Sequence, residues 1–420
     1  MADPVVGRLP ALALARLALR NLARNRRRTA ITASTVAFSI VLLQFLVALL
    51  RGIEEQSFDN LIGYQTGHAK VFAAGYFAER EELPLDRTLG DLAALAERVR
   101  AVDGVAAAAP ELSFQARLSD GREQIPALGV GLALGGAESG VFRLDRAVTS
   151  GRYLEPGDEA VLLGNGLAGL FGLGPGDWIT VLVVTSAGAY EALDLPVVGL
   201  VGTGNPAIDR GSVLVPLALA QRMLGLDGRA TEVAVRFDGR REAAVLERLA
   251  TALGEGGFEV RGWREQQANL MALVESKRAG SGVMVAIFVL LAMVGVTNTI
   301  LMAAYERTRE IGMLMAMGLR ASGVRRLFLT EGAMIGLSGA VVGTALALLV
   351  VAGLSGGIDF QALYGDVDLG YPVRERVYPA VAPAALIGGV LATVVLSALA
   401  SVYPAVRAGR ERPVEALRHV

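Results

Sequence analysis

"ERTREIGMLMAMGLRASGVRRLF", residues 306–328, lies between two long apolar runs and changes character every few residues. Charge comes first, then a methionine-rich apolar strip, then glycine, then two further arginines. What flanks this stretch decides the fold. Four runs carry no charged side chain: 29–50, 279–305, 332–358 and 377–406. Each is at least as long as the ~20 residues an α-helix needs to cross the hydrocarbon of a bilayer. Four such runs are read as membrane spans rather than as core helices of a soluble protein. Composition agrees, with 53% of the 420 residues apolar and 19% charged, and a mean hydropathy of +0.47.

The first run is longer than the ~7–15-residue core of a signal peptide, and "LLRGIEEQ" after it offers no small-residue cleavage site. A retained anchor is therefore expected. Arginine sets the orientation. Arg8, Arg16, Arg20, Arg24, Arg26, Arg27 and Arg28 precede the first run against a single acid, Asp3. Arg307, Arg309, Arg320, Arg325 and Arg326 separate the second and third, and Arg407, Arg410, Arg412 and Arg418 follow the fourth. The loop between the third and fourth has Arg374 and Arg376 beside Asp359, Asp366, Asp368 and Glu375. Positive charge marks the cytoplasmic side, so 1–28, 306–331 and 407–420 are expected inside, with 51–278 and the 359–376 loop outside.

The outer region reads as mixed α/β. "GHAKVFAA" (67–74) has strand character, and "GDLAALAERVRAV" (90–102) is helical by the spacing of Leu92, Leu95, Val99 and Val102. "TEVAVRF" (231–237), "RREAAVLERLATAL" (240–253) and "FEVRGW" (258–263) read as a β–α–β unit. Between them lie glycine- and proline-marked turns, with Pro-Gly-Asp recurring at 156–158 and 175–177. The expectation is an α/β subdomain assembled from both ends, with a β-rich insertion at about 130–225.

Several chemistries are excluded. Without cysteine there is no disulfide, thiolate site or cysteine nucleophile. Both lysines, Lys70 before Val71 and Lys277 before Arg278, fail the Lys-Ser/Thr requirement of a Walker-A loop. His68 and His419 are expected on opposite sides of the membrane, too far apart for a shared metal or dyad. Gly202, Gly204 and Gly211 in "GTGNPAIDRG" fit no dinucleotide fingerprint and read as a loop. A net charge of −1 gives no ground for a nucleic-acid partner. No catalytic, metal or cofactor residue is assigned.

Polar and small residues stand out within the spans. Asn298, between Thr297 and Thr299, is read as interhelical packing or a gating contact. Gly332, Gly336, Ala340 and Thr344 recur every four residues, as do Ala384, Gly388 and Ala392, so the third and fourth runs are expected to pack closely through these ridges. In 306–318, Ile311, Leu314 and Met315 share one helical face, Arg307 and Glu310 lie on others, and Gly318 suits a helix stop. Methionines at 313, 315 and 317 provide adaptable contacts. Such an element fits a partner's groove or the headgroup layer of a bilayer, and physical reasoning alone leaves both open.

"YERTREIGMLMAMGLRASGVRRLFLTEGAMIGLSGAVVG" (305–343) resembles the signature of the FtsX-like permease family, in which a span ends in E-R-x-R-E-I-G. "LALRNLARNRRRT" (17–29) resembles that family's basic entry helix, "GRYLEPGDEAVLLGNGLAGLFGLGPGD" (151–177) its outer β-rich subdomain, and "YPAVRAGRERPVEALR" (403–418) its C-terminal ending. The resemblance implies a permease subunit of an ABC transporter of the MacB or lipoprotein-releasing (LolC/LolE-like) type. The fold class implied is an α-helical membrane protein with four transmembrane helices and a large mixed α/β periplasmic domain between helices 1 and 2.

It further implies a bacterial inner-membrane location and a dimer with a second permease, identical or homologous. Two copies of an ABC ATPase subunit would bind ATP below. The segment 306–318 would be the coupling helix, with Glu306, Arg307, Arg309, Glu310, Ile311, Gly312, Leu314, Met315 and Gly318 meeting the ATPase. ATP-driven closure would then move the periplasmic domain, a mechanism that suits spans almost free of charge. The MacB exporter carries its ATPase on the same chain and the division protein FtsX has a much smaller outer domain, so the lipoprotein-releasing permease remains as a close analogue. Three readings follow: release of lipoproteins or lipids with a periplasmic carrier, export of a peptide, toxin or drug with an adaptor, and regulation of a periplasmic enzyme without transport.

Overall fold

Most of each charge-free run is helical, except 354–358 at the end of the third and 377–382 at the start of the fourth. The computed structural model describes residues 11–24, 26–135, 140–239, 241–254, 256–306, 308–317, 319–359 and 376–408. Two units emerge. One contains residues 1–52, 274–358 and 378–420, and the other 53–273 and 359–377. The first holds helices Ala11–Arg24, Arg26–Leu61, Ala268–Glu306, Thr308–Ala316, Ala321–Gly353, Pro383–Ala400 and Val402–Ala408, two of which begin or end in the second unit. Among the described residues three helices are long and apolar enough to cross a bilayer: Thr29–Thr66, Ala321–Gly353 and Pro383–Arg407. The fourth expected run, 279–305, forms part of the 39-residue helix Ala268–Glu306.

Helix ends and apolar-run ends do not coincide. The Arg26–Leu61 helix continues past Arg51, and the helix containing 279–305 begins at Ala268. Charge reports where the surroundings become polar. It does not stop a helix, because each added residue still contributes its backbone hydrogen bond.

Close backbone approach builds the helical unit. A Cβ on Gly336 would lie 2.6 Å from the Ser397 Cβ, and one on Gly332 would overlap the Ser401 hydroxyl. Gly339 and Gly343 instead face the Arg26–Leu61 helix, where a Cβ on Gly343 would meet the Ala37 carbonyl at 2.6 Å. The Ala321–Gly353 helix is thus held from two directions. Van der Waals contact of this kind drives helix association in lipid, where no hydrophobic effect operates between helices.

The second unit is one ten-stranded mixed sheet. Its strands are β1 (Ala69–Ala73), β2 (Val105–Ser119), β3 (Gln124–Leu132), β4 (Val148–Gly151), β5 (Val161–Gly164), β6 (Trp178–Val184), β7 (Tyr190–Val201), β8 (Ser212–Pro216), β9 (Glu232–Phe237) and β10 (Phe258–Gly262). The order is β10-β1-β9-β2-β3-β8-β5-β7-β4, with β6 pairing β2 and β7. At one end β1 and β2 flank β9, and β9 and β10 flank β1, all antiparallel. These are two interleaved split β–α–β units. Their crossover helices, Leu92–Arg100 and Glu242–Gly254, bury Leu95, Val99, Val245 and Leu249 against Val71, Val233 and Val235.

The expected β-rich insertion is not a separate sheet. The fifteen-residue β2 pairs β9 through its first half and β3 and β6 through its second, so one strand serves both parts. The additional strands start at β3, residue 124, earlier than the expected boundary. Side-chain alternation reports which face of a strand is buried, and it cannot report that one strand passes from one partner to another. A second apolar cluster, including Phe114, Leu163, Val181, Val213 and Met223, fills this part.

Residues 53–66, at the end of the long helix that begins at Arg26, belong to the sheet unit and pack within it. Phe58 packs on Trp263 with ring centroids 5.0 Å apart. Arg143 reaches the Asp59 carboxylate at 2.8 Å, and Tyr64 is buried. Asn205 donates from Nδ2 to Gln65 Oε1 at 2.6 Å.

A charge cluster pins the split β–α–β sheet. Lys70 of β1 is buried between Glu111 of β2 and Glu232 of β9, its Nζ 2.8 Å from each carboxylate. Ser113 donates to Glu232 Oε1 at 3.0 Å. Burial pushes the Glu111 carboxyl up to about 7, against the opposing pull of Lys70 and with the charge of Glu232 adding to the rise. The folded protein therefore holds a proton that the unfolded chain releases above about 4.5, so this contribution to stability is lost as pH rises from about 4.5 through 7.

Residues 53–273 expressed alone are expected to unfold cooperatively in thermal denaturation, since both apolar clusters lie within them. Lys70→Met in that fragment strands two buried carboxylates and should cost about 3–5 kcal/mol in urea titrations. Glu111→Gln should cost less and flatten the pH dependence of stability between pH 4.5 and 7.

Candidate functional site

The helix Thr308–Ala316 is short and amphipathic, and it sorts its side chains into two faces. Thr308, Ile311, Gly312 and Met315, at i, i+3, i+4 and i+7, are buried or half-buried. Ile311, 7% exposed, belongs to an apolar cluster with Val36, Ile300, Val324, Phe328 and Ala405, and Met315 packs on its edge. Arg309, Met313, Ala316 and Met317, at i, i+4, i+7 and i+8, are exposed. The predicted docking face thus divides. Ile311 and Met315 turn onto the chain's own helices, and the face left open carries Arg309, Met313 and Met317. A branched aliphatic side chain gains most from burial, about 1.5–3 kcal/mol, and the nearest dry surface is the helix bundle.

Polar contacts fix this helix in place. Glu310, in its first turn, pairs with Arg24 of the entry helix at 2.9 Å. With side chains 70% and 40% exposed this pair sets geometry more than stability. Beside it, Asn21 donates from Nδ2 to Glu331 Oε1 at 2.7 Å, and Glu331 is only 3% exposed. Ala18 packs on Leu327 one turn away. Sequence reading missed Asn21, Arg24 and Glu331 as a set. The available signal was Glu331, the one acid between Glu310 and Asp359, at the edge of an apolar run.

The other predicted positions separate. Glu306 ends its helix and is exposed. Leu314 lies on the short helix, but its side chain is not among those described, and Arg307 and Gly318 fall outside the described residues. Thr297 donates to the Ala400 carbonyl at 3.0 Å, joining two helices, whereas its neighbour Asn298 is exposed. Gly332 and Gly336 sit at a helix contact. Gly388 does not: it is exposed, with nothing within 4 Å of an added Cβ. The Pro383–Ala400 helix meets its neighbour through Thr393, Ser397 and Ser401 instead of the Ala384–Gly388–Ala392 ridge. Both ridges follow a spacing of four, and spacing does not say which way a ridge turns.

The glycine-rich loop at 202–211 is satisfied from within. Asp209 accepts from the Thr203 and Gly204 backbone N–H groups at 2.8 and 2.9 Å and from the Thr203 hydroxyl at 2.8 Å. A carboxylate occupies the place a phosphate would need.

Long apolar helices, a large sheet unit and a pinned short helix together have the layout of a permease. The model of the FtsX-like permease C-terminal domain matches residues 282–413, and that of the MacB-like periplasmic core domain matches 29–252, more than half of the chain. The chain belongs to this family of FtsX-like permeases with a MacB-like periplasmic core. It is 26% identical over 400 residues to the lipoprotein-releasing system transmembrane protein LolC of Xylella fastidiosa, covering 91% of this chain and 92% of that protein. It is also 26% identical over 412 residues to the macrolide export ATP-binding/permease protein MacB of Sodalis glossinidius, covering 96% of this chain and 60% of that one. The solved periplasmic region of MacB from Actinobacillus actinomycetemcomitans aligns with 51% of this chain and 97% of its own, at 15% identity and a TM-score of 0.34. The chain is an ABC transporter permease of the LolC/MacB type.

Gly336→Leu is expected to prevent the close helix contact and abolish a monodisperse peak in detergent size-exclusion chromatography, whereas Gly388→Leu should leave the elution profile and melting temperature unchanged.

Proposed function

We propose that this permease couples ATP hydrolysis on a partner ATPase to motion of its sheet unit, and that the work releases lipoproteins or lipids from the inner membrane. The carrying observation is the short helix 308–316, pinned on one face to the helical unit and open on the other. A helix so fixed passes a push from a partner into the helices Ala268–Glu306 and Ala321–Gly353, which hold Ile300 and Phe328 of the shared cluster. The first helix carries the movement on, because its far end is fastened by the Phe58–Trp263 and Asp59–Arg143 contacts. In this reading four helices span the bilayer, including the run 279–305, with both termini and 306–331 in the cytoplasm. Two ATPase chains bind ATP below a dimer of permeases, and this chain supplies no catalytic group or cofactor.

The near end-to-end correspondence with LolC supports a lipoprotein or lipid cargo met by a periplasmic carrier. A second reading, export of a drug, peptide or toxin through an adaptor, draws on the similarity to MacB over 96% of this chain. Purification with the native ATPase, followed by mass spectrometry of co-purifying lipid or protein, separates the two.

Met313→Asp with Met317→Asp should lower co-purification of the ATPase at least tenfold while the permease stays folded, because an interface would desolvate both carboxylates. Unchanged ATPase recovery overturns the coupling assignment. Topology has its own check. With no native cysteine, Leu170→Cys should react with an impermeant maleimide in cells with intact inner membranes, and Met317→Cys only after permeabilisation.

A further inference from the structure

One polar atom in the helical unit is out of keeping with its surroundings. Gln44, 6% exposed, sits on the Arg26–Leu61 helix and donates from Nε2 to Thr344 Oγ1 at 3.0 Å. Its amide oxygen Oε1 is buried and accepts no hydrogen bond among the described residues. Gln44 lines a cavity of about 260 Å³ enclosed by three helices of the unit. The rest of the wall is apolar or small, including Val47, Ala347, Leu386 and Gly388. Its other polar side chain, Thr393, already donates to Gly389 O at 2.8 Å.

Three physical facts constrain an occupant. A buried carbonyl oxygen without a donor is costly, so the site favours whatever brings one. The space exceeds the ~150 Å³ apolar cavity that accepts benzene, and its wall has too few polar groups to hold a water cluster with the 2–4 partners each water needs. Leu348 is 40% exposed on the Ala321–Gly353 helix, and Val381, 39% exposed, lies just before the Pro383–Ala400 helix; both helices are apolar enough to cross a bilayer, so the opening faces lipid. Small side chains at Ala347, Ala385, Gly388 and Gly389 create the room, and the Gly388 hydrogen atom faces open space.

We propose that this cavity binds a lipid acyl chain whose linkage carries a hydrogen-bond donor, an amide N–H or a hydroxyl, with that donor on Gln44 Oε1 and the chain along the apolar wall. The site lies inside a single protomer. It rests on these helices being embedded in a bilayer and on neither reading of the transported cargo.

The test uses the full-length chain in phosphatidylcholine vesicles, which supply no such donor. Two diazirine-bearing probes are titrated, an N-methyl fatty amide with one N–H and the matching N,N-dimethyl amide with none. Photolabelling is mapped by peptide mass spectrometry, with the exposed Ile287 and Leu290 as lipid-facing references. Labelling of residues 43–48 and 380–396 should saturate, at roughly tenfold lower mole fraction for the N-methyl amide. Gln44→Leu should erase that preference. Gly388→Phe, which fills the cavity from an exposed backbone position, should remove saturable labelling there while leaving Ile287 and Leu290 unchanged. A diazirine-bearing fatty alcohol that matches the N-methyl amide identifies hydroxyl as an accepted donor and supports the proposal. Equal half-saturation for the two amides, or cavity labelling that survives Gly388→Phe, overturns it. Because Gly388→Phe touches no hydrogen bond, it decides the matter even if Gln44→Leu fails to fold.

Discussion

Gly336 and Gly343 lie two turns apart on one helix and admit two different neighbours, the Pro383–Ala400 helix at the first and the Arg26–Leu61 helix at the second. The rest of the helical unit depends on that double approach. In hydrocarbon, water does not drive helices together, so contact must come from shape, and backbone meeting backbone gives the densest contact available. Once three helices are so held, the few polar side chains among them are placed as well. Gln44 meets Thr344, and Ser401 turns back to the Ser397 carbonyl at 2.7 Å. Any side chain at Gly336 would separate the helices and undo these pairings together.

The same economy governs the short helix at 308–316. It has nine residues, too few to be stable alone, since isolated helices below ~12–15 residues are marginal in water. Ile311 and Met315 stabilise it by joining the apolar cluster, and Glu310 fixes its rotation through Arg24. A helix that spent that face on a partner would have no structure before the partner arrived. Spending it inward gives a preformed surface, and a rigid contact can transmit force where a floppy one dissipates it.

Much of this was legible in the sequence, and the limits have physical causes. The uncharged runs located the long helices, because hydrocarbon excludes charge whatever the fold. Period-two and period-3.6 patterns located β1, β9, β10 and the helices Leu92–Arg100 and Glu242–Gly254. The small-residue ridge at Gly332 and Gly336 meets a neighbour, whereas the one at Gly388 does not. An equal spacing thus had opposite outcomes, because rotation about a helix axis is settled by tertiary contacts. Ile311 shows the same limit: its face was recognised as apolar, but what covers it depends on chain elements hundreds of residues apart. Arg24 and Glu310, or Lys70 and Glu232, are pairs that no local pattern connects.

The two units treat buried charge differently, and the difference bears on how work could leave the bilayer. In the sheet unit Lys70, Glu111 and Glu232 hold three strands at one point, so β1, β2 and β9 move together or pay for separating ions in a dry interior. That stiffness extends toward the membrane helix, since β10 leads directly into Trp263, which packs on Phe58. In the helical unit, close-packed glycines and locally paired hydroxyls hold three helices together, and the cavity beside Gln44 is walled mostly by apolar or small side chains. On the function proposed above, a push at residues 308–316 is carried as displacement of these helices rather than as passage of cargo between them.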